Sequence, residues 1–411
     1  MGDAGPTLSP SRVLIIGGGL GGLALAHGLK NTSTPFHVFE SDPTPDFRAQ
    51  GYRLKINSDG AAALKSVLST EMWEYFEQTC TNSKVGETDF NAIDASIIAS
   101  RAGGGARGGM KVWTADRTVL RNILQEGLKG DISYGKQLKS YTITEDGVNA
   151  EFADGIVEEG VLLVGADGVR SAVRRQYLPD HKPLDTNGSC IYGKTPLTPE
   201  LMERFPARAV KWMTLVLDRT PMTQTLDIDE TPLTLLLEPI RFQKNEHRSK
   251  LPMDYIYWVL IARTAVFGRE RSELFRLSGE ESAGLSQTLT EEWHPSFKAL
   301  FELQDIKQSS TLRVGSANPT IPAWEPSSRV TLIGDAIHVM SPCGGVGAVT
   351  ALRDAALLSK VIGEGGITAS SIGRYESEMR AYAGLSIQRS YFGGKKMFAQ
   401  RPFEECEILD M

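Results

Sequence analysis

Four cysteines in 411 residues are too few and too scattered to build a disulfide scaffold. Cys80, Cys190, Cys343 and Cys406 fit no zinc spacing and no Cys-x-x-Cys pair, so free thiols in a reducing compartment, the cytoplasm, are expected. No apolar run reaches the roughly 18 residues that read as a membrane-spanning helix. Met1 to Pro10 lacks the apolar core of a signal peptide. Pro6 stands where N-myristoylation needs Ser or Thr, and Ile408-Leu409-Asp410-Met411 is no peroxisomal address. Lys and Arg form no dense cluster and the formal net charge is −6, which argues against nucleic acid as a partner. There is no internal repeat.

What is abundant is apolar residues, at 41%, and glycine, at 41 residues in a few clusters. The length exceeds that at which one hydrophobic core stops growing, so two domains or one elaborated domain are expected. Clustered glycine points to tight turns where backbone must approach a ligand. One such cluster follows Val13-Leu14-Ile15-Ile16, a wholly apolar run that reads as a buried parallel strand. It leads into Gly17-Gly18-Gly19-Leu20-Gly21-Gly22, a GxGxxG turn, and then into a helical stretch. In that turn Gly17 permits the bend, Gly19 clears space for a pyrophosphate, and Gly22 lets helix and strand approach. The helix start offers N–H groups and partial positive charge to phosphates. A second strand, Phe36-His37-Val38-Phe39, leads into Glu40, roughly twenty residues on, where a carboxylate accepts from ribose hydroxyls. His27 on the first helix reads as a packed residue.

Two more expected strands lead into glycine turns. Val161–Val164 precedes Gly165-Ala166-Asp167-Gly168-Val169-Arg170-Ser171-Ala172-Val173-Arg174. Arg329–Ile333 precedes Gly334-Asp335-Ala336-Ile337-His338 and then Ser341-Pro342-Cys343-Gly344-Gly345-Val346-Gly347-Ala348, which opens a helix. Three ligand-binding segments this far apart imply one discontinuous nucleotide domain, 1–175 with 316–365, and an inserted domain, 176–315. The insert carries short aromatic or alternating runs, such as Val210–Leu217, Pro232–Pro239 and Tyr255–Ala262, that read as antiparallel strands. Arg101–Gly109 reads as a surface loop. Tyr375, Met379 and Tyr382 give helical spacing to a closing segment, 366–411.

The ordered trio resembles the class A flavoprotein monooxygenases, the family with the para-hydroxybenzoate hydroxylase fold. That family shows GxGxxG, a middle GADGxxSxVR and a late GDAxHxxxPxxGxG motif. Smaller likenesses are Asp116-Arg117-Thr118-Val119-Leu120, similar to the family's D-R-x-x-L, and Arg48-Ala49-Gln50-Gly51, similar to its Arg-x-x-Gly loop. The chain is more similar to fungal-type tailoring enzymes than to the longer phenol hydroxylases. The resemblance implies an α/β fold: a discontinuous Rossmann-like FAD-binding domain, an inserted, mainly antiparallel β substrate domain, and C-terminal helices. One departure stands out. Val349 occupies the position where many members carry Asn.

The resemblance implies FAD contacts at Gly17, Gly19, Gly22, Glu40, Arg48, Gly51, Arg53, Arg117, Asp167, Asp335, Gly345, Gly347 and Ala348. Asp167, with Arg170 or Arg174, is expected near the pyrophosphate region, and Asp335 on the ribityl chain. Arg48 and Arg53 are expected at the pyrophosphate or the incoming nicotinamide nucleotide. His338, Pro342 and Tyr192 are candidates beside the reacting atoms; in the family the His338 position is mostly structural. Tyr192, Trp212, Met213, Tyr257 and Trp258 are candidate substrate-lining residues, although neighbours in a regular strand such as Tyr257 and Trp258 face opposite ways. The implied reaction is oxygen transfer from O2 to an aromatic or polycyclic small molecule, with NAD(P)H as electron donor and no metal. Alternatives are an FAD-linked dehydrogenase or reductase, and a flavin-binding cyclisation catalyst without redox work. A flavin halogenase is disfavoured: Trp73, Trp113, Trp212, Trp258, Trp293 and Trp324 form no Trp-x-Trp pair.

Overall fold

The computed structural model describes residues 11–45, 47, 51–81, 84–103, 111–218 and 232–409. Five parallel strands form the first sheet, in the order Val330–Leu332, Leu162–Gly165, Val13–Ile16, Phe36–Phe39, Ile132–Ser133. Every residue of Val13–Ile16 and Leu162–Gly165 is buried. That burial is why these strands are apolar throughout rather than alternating: layers cover the sheet on both faces. Helix Leu20–Asn31 packs against Gly347–Gly365, so the first and third glycine motifs share one layer. A three-stranded antiparallel meander, Leu138–Ile143, Val148–Phe152 and Val157–Gly160, precedes the second motif's strand.

The second sheet runs Ser310–Ser316, Leu184–Pro196, Tyr255–Arg263, Thr234–Ile240, Met213–Leu217, Gly86–Asn91, Ile97–Ala102, with Glu407–Ile408 added beside Leu184. Its pairs are antiparallel except Met213–Leu217 with Gly86–Asn91. Helices Gly279–Leu289 and Pro295–Glu302 accompany the face that buries Trp258, Leu260, Phe297 and Phe301. The opposite face gathers Tyr192, Tyr255, Tyr257, Ile240 and Phe398, with Tyr52 and Cys343 of the nucleotide-binding part packed against it. Burial on both sides makes Tyr255–Ala262 continuously apolar.

Chain order and sheet membership part company at Gly86–Ala102. This hairpin falls within 1–175 by sequence yet forms the edge of the second sheet. Its outer strand is largely exposed, so no apolar pattern announces it. Arg101 and Ala102 end that strand rather than open a loop; residues 104–110 lie outside the described residues. The closing segment is one 30-residue helix, Ala369–Phe398, followed by a short turn and strand. No helix among the described residues is long and apolar enough to cross a membrane. Among the same residues no group of three His, Cys, Asp or Glu is placed to hold a metal ion.

Candidate functional site

The first glycine turn is sterically determined. Gly17 has φ +113°, and a Cβ there would lie 2.3 Å from the Ala166 carbonyl oxygen of the second motif. A Cβ on Gly22 would lie 2.1 Å from the Gly17 oxygen. At Gly19 the opposite holds: an added Cβ meets nothing within 4 Å. Gly19 is the N-cap of helix Leu20–Asn31 and no side chain caps it, so the helix start faces open space. Glu40 is buried and accepts from the Gly18 N–H at 2.8 Å and the Asp42 N–H at 2.9 Å. Arg121 stands 3.8 Å from Glu40 and donates to the Gly18 oxygen at 3.1 Å.

The third motif is built by a buried carboxylate from another helix. Asp354 Oδ2 accepts from the Gly334 N–H at 2.7 Å and pairs with His338 Nε2 at 2.6 Å; its Oδ1 accepts from the Tyr382 hydroxyl at 2.6 Å. His338 and Asp354 are fully buried. Burial lowers the His338 pKa, but the Asp354 charge and hydrogen bond overcome this and raise it on balance. His338 is therefore a latch for the turn and does not reach the cleft as a base. The turn leaves Asp335 exposed while protein crowds it: desolvation pushes its carboxyl up, against the pull of His338 and Arg117. A crowded yet solvent-open position is a cleft floor. Pro342 and Gly345 are exposed beside it, and Gly345 has φ +61° with nothing within 4 Å of an added Cβ. Gly347, with Ala348 behind it, starts the 19-residue helix, again with no side-chain cap.

The cleft wall forms where a two-stranded antiparallel sheet, Arg53–Ile56 with Trp113–Asp116, meets the second sheet. Asp116 caps helix Arg117–Gln125 through Oδ1, while Oδ2 accepts from Lys194 at 2.7 Å and from the Tyr255 hydroxyl at 2.6 Å. The Arg117 guanidinium lies 5.2 Å over the Tyr52 ring, and Tyr52 meets Tyr192 edge-on at 5.9 Å. Arg53 stacks 5.5 Å over Tyr257 and pairs with Glu238 at 3.3 Å. Gly51 is held close: a Cβ there would come 2.5 Å from the Lys194 amine. Burial pushes the Tyr192 hydroxyl up to about 12 and the Tyr257 hydroxyl higher, so both stay protonated donors.

The other expected residues are placed as follows. Asp167 Oδ2 accepts from the Ala172 N–H at 2.7 Å and so starts the next helix beside Gly17. Arg174 bonds the Ala336 and Val169 carbonyls, tying the second motif to the third, and Arg170 is exposed. Trp258 points to the helix-covered face, where its N–H reaches Thr195 at 3.1 Å, opposite to Tyr257 as strand geometry requires. Met213 is half-buried on the strand beside Gly86–Asn91, and by register it shares the sheet face of Glu238 and Tyr257; Trp212 lines a cavity together with Glu238. His27 is buried with Nε2 on the Leu124 carbonyl at 2.8 Å. Arg48 lies outside the described residues. Sequence reasoning missed Arg121, Lys194 and Asp354. Of these only Arg121 had a signal, one turn after Arg117.

Val349 explains the departure from the family pattern. It is buried, and a Cβ on Gly60 would come 3.0 Å from its Cγ2, so it packs between helices rather than facing the cleft. Val349→Asn is expected to bury an amide without partners and lose about 1–3 kcal/mol of stability, read by urea denaturation.

The residues present fit a dinucleotide flavin. Gly19 and Gly345 leave open a cradle that side chains would fill, two long helices start there uncapped, and Asp335 stands ready as an acceptor. A parallel nucleotide-binding sheet, with its glycine-lined cleft closed by the aromatic face of an antiparallel sheet, defines an FAD-binding hydroxylase-type fold. The family model described as FAD binding domain matches residues 277–390, which include the third motif. A candidate FAD-containing monooxygenase of Photorhabdus luminescens subsp. laumondii is 31% identical, superposes with a TM-score of 0.76, and covers 94% of this chain and 98% of that one. The dual O-methyltransferase/FAD-dependent monooxygenase elcB of Phaeosphaeria nodorum is 48% identical, over 97% of this chain and 47% of its own. The dual O-methyltransferase/FAD-dependent monooxygenase CTB3 of Cercospora beticola is 45% identical, over 96% and 47%. The chain spans about half the length of these curated relatives. It belongs to the FAD-dependent monooxygenases of the class A flavoprotein family.

Proposed function

We propose that the chain is an oxygenase of secondary metabolism that uses NAD(P)H and O2 to hydroxylate or epoxidise an aromatic or polycyclic small molecule. The observation that carries this reading is the cleft itself. An exposed, crowded Asp335 and the bare Gly345 turn stand across from Arg117, Tyr52 and Tyr192. Gly17, Gly19 and Gly22, with the helix start, would hold the pyrophosphate, Glu40 the ribose, and Asp335 with Arg117 the chain leading to the ring. Backbone N–H groups of Gly345, Gly347 and Ala348 would meet the ring edge, where the helix dipole favours negative charge. When bound, FAD supplies two-electron transfer and O2 activation. Tyr192 and Tyr257 remain neutral, so they can orient a substrate by donating hydrogen bonds without withdrawing a proton. With cofactor and substrate in place, the aromatic wall would help exclude water from the reacting atoms.

Two relatives pair an O-methyltransferase name with a monooxygenase name. We take this chain to correspond to the oxygenase portion. Its nucleotide unit is 1–175 with 316–365, apart from the hairpin Gly86–Ala102, which joins the substrate sheet of 176–315; the segment 366–411 closes both. The test is a screen of aromatic compounds for accelerated NADPH oxidation by the yellow protein, followed by labelled O2. Label in the product is expected. Substrate oxidised without label would leave a dehydrogenase instead. Asp335→Ala, at an exposed position, is expected to stay folded but bind FAD about tenfold to a hundredfold more weakly, measured by flavin fluorescence on titration.

A further inference from the structure

We propose that a basic cavity at the Trp212 end of the second sheet binds the phosphate-bearing adenosine end of the nicotinamide donor and so selects NADPH over NADH. This rests on the donor reading above. The cavity has a volume of about 510 Å³ and is lined by Lys84, Arg208, Lys211 and Arg241 around Trp212 and Glu238. All four cations are exposed. Among the described residues none of them pairs with a carboxylate: the one carboxylate present, Glu238, is taken by Lys55 at 2.7 Å and Arg53 at 3.3 Å. Four cations gathered around one carboxylate that is already paired elsewhere, on a chain of net charge −6, repel one another and draw an anion.

The cavity is also preorganised. The Trp212 N–H donates to Thr88 Oγ1 at 2.7 Å, and the indole lies against Gly86, where an added Cβ would come 2.4 Å from the ring. Lys211 holds its ammonium 4.1 Å over that ring, and Arg241 is tied by one N–H to the Val210 carbonyl at 3.0 Å. A phosphomonoester matches this set: it carries nearly two negative charges and three acceptor oxygens on one group. The volume suits a nucleoside-sized fragment rather than a whole dinucleotide. Glu238 links the cavity to Arg53, which stacks on Tyr257 at the cleft wall, so a donor anchored here adjoins the cleft.

The experiment is calorimetric titration of the flavin-loaded protein at low ionic strength with 2′,5′-ADP, and with 5′-AMP as the comparison. Saturable binding of 2′,5′-ADP is expected, about tenfold tighter than 5′-AMP. The combined Arg208→Ala, Lys211→Ala, Arg241→Ala protein, checked for native circular dichroism, should lose about tenfold for 2′,5′-ADP and gain a similar factor in KM for NADPH, with KM for NADH moving less than about twofold. Lys84→Glu alone, at an exposed side chain that is not among the Trp212 contacts named above, should act in the same direction. Equal binding of both nucleotides, no binding of either, capture of an acidic protein only, or an NADPH KM untouched by these substitutions overturns the assignment. If no nicotinamide reduces the flavin, the donor reading falls, while a 2′,5′-ADP isotherm lost in the variant still supports the phosphate site.

Discussion

Gly22→Ala is expected to give a colourless and largely insoluble protein. The new methyl carbon would sit 2.1 Å from the Gly17 oxygen, and Gly17 is itself held in the turn, its N–H donating to the Phe39 oxygen at 2.8 Å. Backbone, not a flexible side chain, is the obstacle, so helix Leu20–Asn31 must lift from the sheet. Overpacking of this kind, compounded by a strained turn, costs about 3–5 kcal/mol, a large fraction of a domain's stability. Flavin absorbance per chain and far-ultraviolet circular dichroism measure it. A soluble Gly22→Ala protein with full flavin content would contradict the close approach seen here. Gly19→Ala is the control for the cradle: nothing lies within 4 Å, so the fold should persist and only flavin affinity should fall.

The second large effect is expected at Asp354→Ala. Three donors converge on that carboxylate, from Gly334, His338 and Tyr382, and all would lose their partner inside the protein. Removing one member of a buried ion pair destabilises by about 3–5 kcal/mol, and here it also frees the turn that presents Asp335. Flavin loss should therefore precede global unfolding in urea. The pair carries a pH signature with a definite sign. The folded pKa of His338 is raised above its ordinary value of 6.5. Its contribution is thus complete below that value and is lost as pH rises through the folded pKa. The stability gap between wild type and His338→Asn should be widest in mild acid and narrow toward alkaline pH. A gap that widened with pH would show the histidine buried neutral. A His338 acting as a base would instead change turnover while leaving the unfolding midpoint in place.

Much of this protein was legible before folding. The wholly apolar runs at Val13–Ile16 and Leu162–Val164 read as buried parallel strands, and each leads into glycine where the chain bends toward a ligand; Phe36–Phe39 leads instead into Glu40. The sequence also separated Tyr257 from Trp258, because a strand has period two. Gly86–Ala102 escaped because its outer strand faces solvent and borrows its place from pairing with Met213–Leu217, more than a hundred residues away. Asp354 escaped because it sits mid-helix, where an acidic residue ordinarily faces water. The resemblance implies that Asp167, with Arg170 or Arg174, ties the second motif to the pyrophosphate region; partner choice was not legible, and in the fold Asp167 starts a helix while Arg174 satisfies carbonyls.

Local chemistry by itself determined where this chain bends, which strands are buried and which turns must be glycine, since those follow from sterics and from periods of two and 3.6 residues. Only the tertiary structure decided which charges are spent on the protein's own backbone and which remain for a ligand. That allocation depends on partners brought from distant segments: His338 is consumed by Asp354, Asp116 by Lys194, and Asp335 is left facing solvent in the cleft.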